Sequence, residues 1–195
     1  MEYIKEVFAQ YNKQHIRVYQ AYNTIIAKEA IVLQTFGENF NVNRMTWIKP
    51  SFLWLMYRSN WGTKKNQECI LALDIYQSKF NELLKKAVLT SPDSAIYTSI
   101  QWKKAFDETT VYCQWDPDRN VNGNPINRAA IQIGLKGSTL KDFLNTSIYC
   151  IEDITPLVRK WNEQRKCGRL NSRDLPVEKI YPIKNKVIRN RLNMK

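Results

Sequence analysis

The stretch at residues 45–62 reads MTWIKPSFLWLMYRSNWG. It holds three tryptophans, one tyrosine, one lysine and one arginine within eighteen residues around a single proline. Aromatic rings bury large areas and also offer flat faces for stacking, and cations between them can hold phosphates. Pro50 fixes a turn and Ser51 is placed to cap a helix through Tyr57, so a strand ending at Ile48 leads directly into a helix. The same strand-then-helix order recurs on both sides of this stretch.

The segment that precedes it predicts a first strand. Residues 15–20 alternate and carry β-branched and aromatic side chains, a pattern typical of a strand with two different faces. Arg17 and Tyr19 share one face and Gln20 lies on the other. Asn23 can then cap the following helix by accepting backbone N–H bonds.

The rest of the chain continues with both kinds of element. Further strands are predicted at residues 69–75, 111–116, 128–135 and 148–151. Further helices are predicted to begin at Ser78, Ser91, Ser138 and Thr155. Pro117 is expected to stop the strand before it. The pattern predicts an α+β fold, a single domain with a mixed, mainly antiparallel central sheet flanked by helices.

Length and charge suggest one domain with an appendage. A chain of 195 residues with 44% hydrophobic residues can form one core, which we assign to residues 1–165. Residues 159–195 hold twelve Lys or Arg and three acidic residues, which is nine of the twelve net positive charges. We therefore expect a basic C-terminal extension at residues 166–195. Such a tail gives salt-sensitive, sequence-blind affinity for nucleic acid, although a solvated end would have the same composition.

Several classes of protein find no support in the sequence. It has no phosphate-binding P-loop, dinucleotide-binding glycine motif, HExxH zinc motif or nucleophile-elbow motif. The single histidine and four widely spaced cysteines argue against a metal site, so we expect no metal. No apolar stretch approaches the roughly 20 residues needed to span a bilayer, and no signal-peptide pattern is present. We expect an intracellular protein, cytoplasmic or nuclear, with no membrane partner.

Three groups of side chains can carry chemistry. The first is Arg17, whose planar guanidinium can grip a phosphate, with Tyr19 and Gln20 beside it. The alternative is an ordinary polar strand edge. The second is Lys49 with Arg58, helped by the indole of Trp47 and by the helix N-terminus that Ser51 caps.

The third group comes from the late strands. Gln132 and Glu152 could polarise a substrate, and Glu152 is the better candidate for a general base, unless it pairs with an arginine instead. Asp116 is interpreted as an ion-pair partner of Arg119. The cations proposed to contact nucleic acid are Arg119, Arg128, Arg165, Lys166 and Arg169.

Several long motifs resemble one known family. They are IRVYQAYN at 16–23, MTWIKPSFLW at 45–54, YRS at 57–59, WGT at 61–63, QWDP at 114–117, QIGL at 132–135 and IEDITPLV at 151–158. Together they are similar to the domain-of-unknown-function family numbered 4291, over about residues 15–160. That family brings no settled activity, so the resemblance assigns no catalytic residue.

The order of elements is also similar, at the level of architecture, to the ADP-ribosyltransferase fold and its RNA 2′-phosphotransferase relatives. The resemblance implies that Arg17 holds the phosphates of NAD or ADP-ribose and that Thr46 and Trp47 line a nicotinamide pocket. It also implies that Gln132 or Glu152 takes the position of a late-strand glutamate, although Gln132 is not acidic.

Two hypotheses follow. The first is a nucleotide- or nucleic-acid-directed transferase that uses NAD, with Arg17, Gln132 and Glu152 as catalytic residues. Its ligand-binding residues would be Tyr19, Gln20, Thr46, Trp47, Lys49, Ser51 and Arg58. The second is a noncatalytic module that binds RNA or single-stranded nucleic acid through the same cations and rings.

Overall fold

The computed structural model describes residues 3–194. Its strands are β1 (Phe8–Ala9), β2 (His15–Tyr22), β3 (Thr46–Ile48), β4 (Cys69–Tyr76), β5 (Val88–Leu89), β6 (Val111–Arg119), β7 (Pro125–Leu135), β8 (Ile148–Asp153) and β9 (Lys179–Ile180). Its α-helices are α1 (Thr24–Leu33), α2 (Phe52–Ser59), α3 (Gln77–Lys86), α4 (Ser99–Glu108), α5 (Gly137–Asp142), α6 (Thr155–Lys166) and α7 (Lys186–Arg191). This is the α+β single domain that the sequence predicts.

The strands form two principal sheets and a small ribbon. One sheet has the order β2-β4-β8 and is antiparallel throughout. The other has the order β3-β7-β6-β5, in which only the β5–β6 pairing is parallel. The ribbon pairs β1 with β9. The expected mixed, mainly antiparallel arrangement is confirmed, but it is divided between sheets instead of forming one continuous sheet.

The two principal sheets meet where β2 passes the end of β3. The backbone N–H of Tyr19 donates to the carbonyl of Lys49 at 2.8 Å, an isolated bridge between the two sheets. Pro50 follows immediately and has no N–H with which to extend the pairing. The chain then turns into α2, whose first turn is capped by the hydroxyl of Ser51. The residues between β3 and α2 are therefore fixed at the junction of the sheets.

The core follows from the alternation along β2 and β4. Ile16 and Val18 of β2 are fully buried in the larger hydrophobic cluster, together with the central residues of β4, β6 and β7. Tyr19, on the opposite face of β2, belongs to a second cluster that includes Phe52 and Trp61. The sheet is thus covered on both sides, which explains why β4 is almost continuously apolar.

The C-terminal segment wraps around this core. Ile183, Ile188, Leu192 and Met194 are all buried in the larger cluster. The carbonyl of Leu192 also accepts a hydrogen bond of 2.8 Å from the indole N–H of Trp115. The segment expected as an extension at residues 166–195 is therefore amphipathic: most of its charged side chains are exposed and several apolar side chains pack against the domain. The side chain of Glu178 is nevertheless buried, and Val177, Ile180 and Val187 are exposed.

Three predicted boundaries are wrong. Strand β6 continues through Pro117 to Arg119. The β6–β7 register shifts between these two residues, and β5 pairs only with Tyr112 and Cys113 at the other edge of β6, so proline interrupts no hydrogen bond of the sheet there. Helix α4 begins at Ser99 and not at Ser91, because Thr98 and Gln101 form a reciprocal capping box. Helix α5 begins at Gly137, without the side-chain cap expected from Ser138.

Candidate functional site

A cavity of about 910 Å³ opens at the junction of the two sheets. Strands β2, β3, β6 and β7 and helix α2 all contribute to its wall. Six of the residues singled out from the sequence line it together, namely Gln20, Thr46, Trp47, Lys49, Arg58 and Gln132. Segments more than a hundred residues apart in the chain therefore converge on one space.

One wall of the cavity is the indole of Trp47. Trp47 lies opposite Gly134 in the β3–β7 register. A Cβ added at Gly134 would lie 2.9 Å from Cη2 and 3.0 Å from Cζ2 of the indole, well inside normal contact. The missing side chain at Gly134 thus lets the ring lie close against β7, where it presents an aromatic surface to the cavity.

A carboxylate held by two amides lies on the neighbouring strands. Gln114 and Asp116 alternate on β6, and Gln114 is opposite Gln132 of β7. The amide of Gln114 donates to both carboxylate oxygens of Asp116 at 3.0 Å, and the amide of Gln132 donates to Oδ2 of the same group. Among the described residues that line the cavity, Asp116 is the only acidic one. The two glutamines hold it in a defined orientation.

Four cations line the same cavity as this carboxylate. Lys49 is half-buried in the wall, whereas Arg44, Arg58 and Lys65 are exposed. None of the four belongs to an ion pair among residues 3–194. Burial, and then repulsion by Arg58, lowers the pKa of Lys49 from 10.5 to about 8 although Asp116 acts in the opposite sense. The cavity therefore carries an excess of positive charge that the protein itself does not neutralise.

Two buried polar atoms in the wall have no hydrogen-bond partner. The Gln20 side-chain amide donates to Thr46 Oγ1 at 2.9 Å and to the carbonyl of Trp47 at 3.3 Å. Because a carbonyl can only accept, these bonds fix the amide orientation and leave Gln20 Oε1 unpartnered. The indole N–H of Trp54 is also unpartnered, although this residue is only 5% exposed. Both atoms belong to residues that line the cavity, and a ligand that reached them would satisfy their hydrogen bonding.

Arg17 and Glu152 lie apart from this cavity. The guanidinium of Arg17 makes a two-pronged contact with Asp74, with both bonds at 2.8 Å, and a further ion pair of 3.2 Å with Glu152. The hydrogen bonds that Arg17 donates to Asp74 raise the pKa of Arg17. The alternative pairing of Glu152 with an arginine is the one that the structure shows.

Tyr19 and Ser51 also lie outside the cavity lining. Tyr19 is buried against Phe52 in the smaller core cluster. Ser51 donates its hydroxyl proton to the buried Asp118 at 2.9 Å. The N-terminus of α2, expected to receive a phosphate, instead donates its Phe52 N–H to the carboxylate of Glu178 at 2.6 Å. The protein's own carboxylate therefore occupies that anion site.

The cations assigned to nucleic acid have different surroundings. Arg128 forms ion pairs of 2.7 Å with both Asp118 and Glu178 and lies over the Phe8 ring. Burial raises the pKa of Glu178 to about 7, although Arg128 acts against this. Arg128 is therefore engaged in the fold.

The remaining members of that group are nearer the surface. Arg119 lies 4.2 Å above the Tyr57 ring and forms no ion pair with Asp116, so the ion-pair interpretation of that carboxylate is wrong. Arg165 lies 5.1 Å from the Trp61 ring, while Lys166 and Arg169 are exposed at the end of α6.

The sequence did not predict that Gln114 and Asp116 line the cavity and are hydrogen-bonded to each other. Their alternation on a predicted strand was visible, but the pairing that places Gln114 opposite Gln132 depends on the β6–β7 register. Arg44 and Lys65 were missed because both lie in irregular segments before β3 and β4. The hairpin signal of Asn122-Gly123 could have given the register.

Within residues 3–194 no group of three or more His, Cys, Asp or Glu residues is arranged to hold a metal ion. Over the same part of the chain, no helix combines the length and apolar character required to cross a bilayer.

Comparison with known proteins identifies a family. No curated protein matches the sequence. A family match covers residues 6–181, which extends beyond the 15–160 span of the motifs at both ends and includes β9. Since the match covers most of the chain, the protein belongs to the family described as Domain of unknown function (DUF4291).

Proposed function

We propose that the cavity binds a nucleotide, with NAD as the leading candidate, and that the protein is a transferase of the ADP-ribosyltransferase type. The observation that carries this proposal is the meeting of four unpaired cations with an unpartnered buried acceptor and donor in one cavity. Cations without carboxylate partners suit a diphosphate, and a buried unpaired polar atom is costly unless a ligand satisfies it.

The two unpartnered atoms match a primary carboxamide, the group at the edge of nicotinamide. Its carbonyl oxygen can accept from the indole N–H of Trp54, and its NH2 can donate to Oε1 of Gln20. The aromatic face of Trp47 lies in the same cavity and can stack on a pyridinium ring. Lys49 and Arg58 are then the cations for the diphosphate.

The chemistry would rest on Asp116 and Gln132. Cleavage of the nicotinamide bond passes through a state in which positive charge develops on the ribose ring. A carboxylate and an amide close to the ribose hydroxyls stabilise that charge in the transition state more than in the ground state. In this proposal Gln132, whose amide donates to Asp116, takes the position of the late-strand glutamate, for which Gln132 and Glu152 are the two candidates.

The order of elements supports the architectural likeness. Strand β2 with Gln20 is followed by a helix, then by β3 with Thr46 and Trp47, then by a second helix and the buried strand β4. This is the order that suggested the ADP-ribosyltransferase fold. In this version Gln20, Ala21 and Tyr22, and not Arg17, are the β2 residues that line the cavity.

A thermal-shift titration with NAD, combined with a chromatographic assay for released nicotinamide, tests the proposal. At 100 times Kd a ligand adds about 2.7 kcal/mol, which is about 5–10 °C in Tm for a chain of this length. Trp54→Phe removes the indole N–H together with part of the buried ring, and about ten times more ligand should then be needed for the same shift. Lys104→Ala, an exposed change on α4, should leave it unaltered. No shift with NAD or ADP-ribose, and no nicotinamide release, would refute the proposal.

The second candidate is the noncatalytic module for RNA or single strands. The observation in its favour is the exposure of Lys166 and Arg169 beside the Arg165–Trp61 stack, outside the cavity. Binding that survives Gln132→Ala but falls steeply with salt and on Lys166→Ala would favour this module.

A further inference from the structure

We infer that the side-chain amine of Lys49 is a nucleophile that bonds to the electrophilic carbon of a phosphorylated substrate bound in the cavity. In the transferase proposed above, on which this inference rests, that carbon is C1′ of the ribose attached to nicotinamide. Lysine amines act this way when they are desolvated or lie next to another cation.

The backbone at Lys49 is fixed more firmly than that of a surface lysine. Its carbonyl accepts from the N–H of Tyr19 at 2.8 Å, and Pro50 restricts the next residue. Its amine donates to the carbonyl of Trp47 at 2.9 Å. The half-buried side chain is thus held within the cavity wall, with its nitrogen placed by a hydrogen bond.

The charges around Lys49 come from two elements. Arg58 of α2 contributes a positive charge that disfavours the ammonium form, and Asp116 of β6 contributes the carboxylate that favours it. With burial, the balance lowers the pKa to about 8. The neutral amine is then roughly 300 times more abundant near pH 7 than for a lysine of pKa 10.5, although its lower basicity offsets part of the gain.

The step balances without an added reactant. The electron pair of the neutral amine forms a bond to C1′. The bond from C1′ to the pyridinium nitrogen breaks, and its electron pair stays with nicotinamide, which leaves uncharged. The new ammonium at Lys49 Nζ releases one proton, for which Asp116 is the acceptor in the cavity. Opening of the attached ribose then gives an imine that a borohydride reagent can reduce to a stable amine.

The first test is incubation with NAD and sodium cyanoborohydride, followed by peptide mass spectrometry. We expect an ADP-ribosyl adduct on Lys49, absent from Lys49→Arg, which keeps the charge but not the nucleophile. Lys64→Arg is the matched control, because Lys64 is exposed beside the cavity and does not line it; its adduct yield should equal that of the wild type. Nicotinamide release by the wild type with no adduct on Lys49 would overturn the inference.

A second test does not depend on NAD. Pyridoxal 5′-phosphate carries an aldehyde, a phosphate and an aromatic ring, and its imine with lysine is fixed by sodium borohydride. At pH 7 Lys49 should be labelled at least about tenfold faster than Lys64, and inorganic phosphate should compete.

The two tests separate the two proposals. If NAD neither binds nor reacts but the pyridoxal label falls selectively on Lys49, the NAD proposal fails and the reactive lysine stands. If the label is spread evenly over exposed lysines, the nucleophile inference fails, even if NAD binds.

Discussion

The wall of the cavity depends on the absence of a side chain at Gly134, and Gly134→Ala tests this directly. The added methyl would lie 2.9 Å from Cη2 and 3.0 Å from Cζ2 of Trp47, and 2.8 Å from Sδ of Met45. Normal carbon contacts begin near 3.4 Å, so the indole must move by a few tenths of an ångström. The backbone at Gly134 does not have a positive φ, so the effect should come from this collision alone.

Inserting one methyl group into a packed site typically costs about 1–3 kcal/mol. For a chain of this length that corresponds to a fall in Tm of roughly 2–12 °C, measurable by circular dichroism or scanning fluorimetry. Met45 is flexible and can yield, so most of the cost should arise at Trp47. The NAD-induced stabilisation should fall as well, because the stacking surface is displaced.

A double-mutant cycle with Trp47→Phe identifies the origin of the cost. Phenylalanine lacks the part of the indole that carries Cζ2 and Cη2, so the added methyl of Gly134→Ala should then fit. We expect the double variant to be more stable than the sum of the single effects predicts, by at least about 1 kcal/mol. Additive effects within about 0.5 kcal/mol, or a Gly134→Ala variant as stable as the wild type, would refute the close approach of ring and strand.

Three further predictions concern the rest of the molecule. Arg128→Ala leaves the buried carboxylates of Asp118 and Glu178 without their cation, and should lower the free energy of unfolding, measured in urea, by about 3–5 kcal/mol. The control Arg173→Ala, at an exposed position, should change it by less than about 0.5 kcal/mol. The pKa of Lys49 is about 8 in the folded protein and 10.5 for an ordinary lysine, so the unfolded chain binds more protons between these two values. The free energy of unfolding should therefore rise by up to about 3 kcal/mol from pH 8 to 10.5, relative to Lys49→Met. Deleting residues 182–195 exposes part of the core and should abolish the cooperative thermal transition. If residues 1–165 formed an independent domain, the shortened protein would keep that transition.

The sequence predicts local features better than the relations between distant ones. The caps at Asn23 and Ser51 are confirmed, because capping involves only the next two or three residues. Strand β2 is confirmed for the same reason, since its alternation is local. The separation of the strands into two sheets was not predicted, because it depends on pairings such as that of β2 with β4, which join residues 47 to 61 positions apart.

The same limit applies to the candidate site. Arg17 and Lys49 are both cations at strand positions, and neither sequence pattern shows which one has a partner. The structure pairs Arg17 with Asp74 on the adjacent strand β4 and with Glu152 on β8, one strand further away. Lys49 lies at the end of β3, where no carboxylate forms an ion pair with it within residues 3–194.

Pairing within the fold gives a physical criterion for sorting the cations of this chain. An arginine that already has a carboxylate fork must lose those bonds before it can bind a phosphate, and that loss costs several kcal/mol when the pair is partly buried. Arg17 and Arg128 are in this position and are expected to act in stability. Lys49 and Arg58 pay no such penalty, and the repulsion between them is relieved when an anion binds. The affinity of the cavity for phosphorylated ligands should therefore depend on the unpaired cations that line it, and not on Arg17.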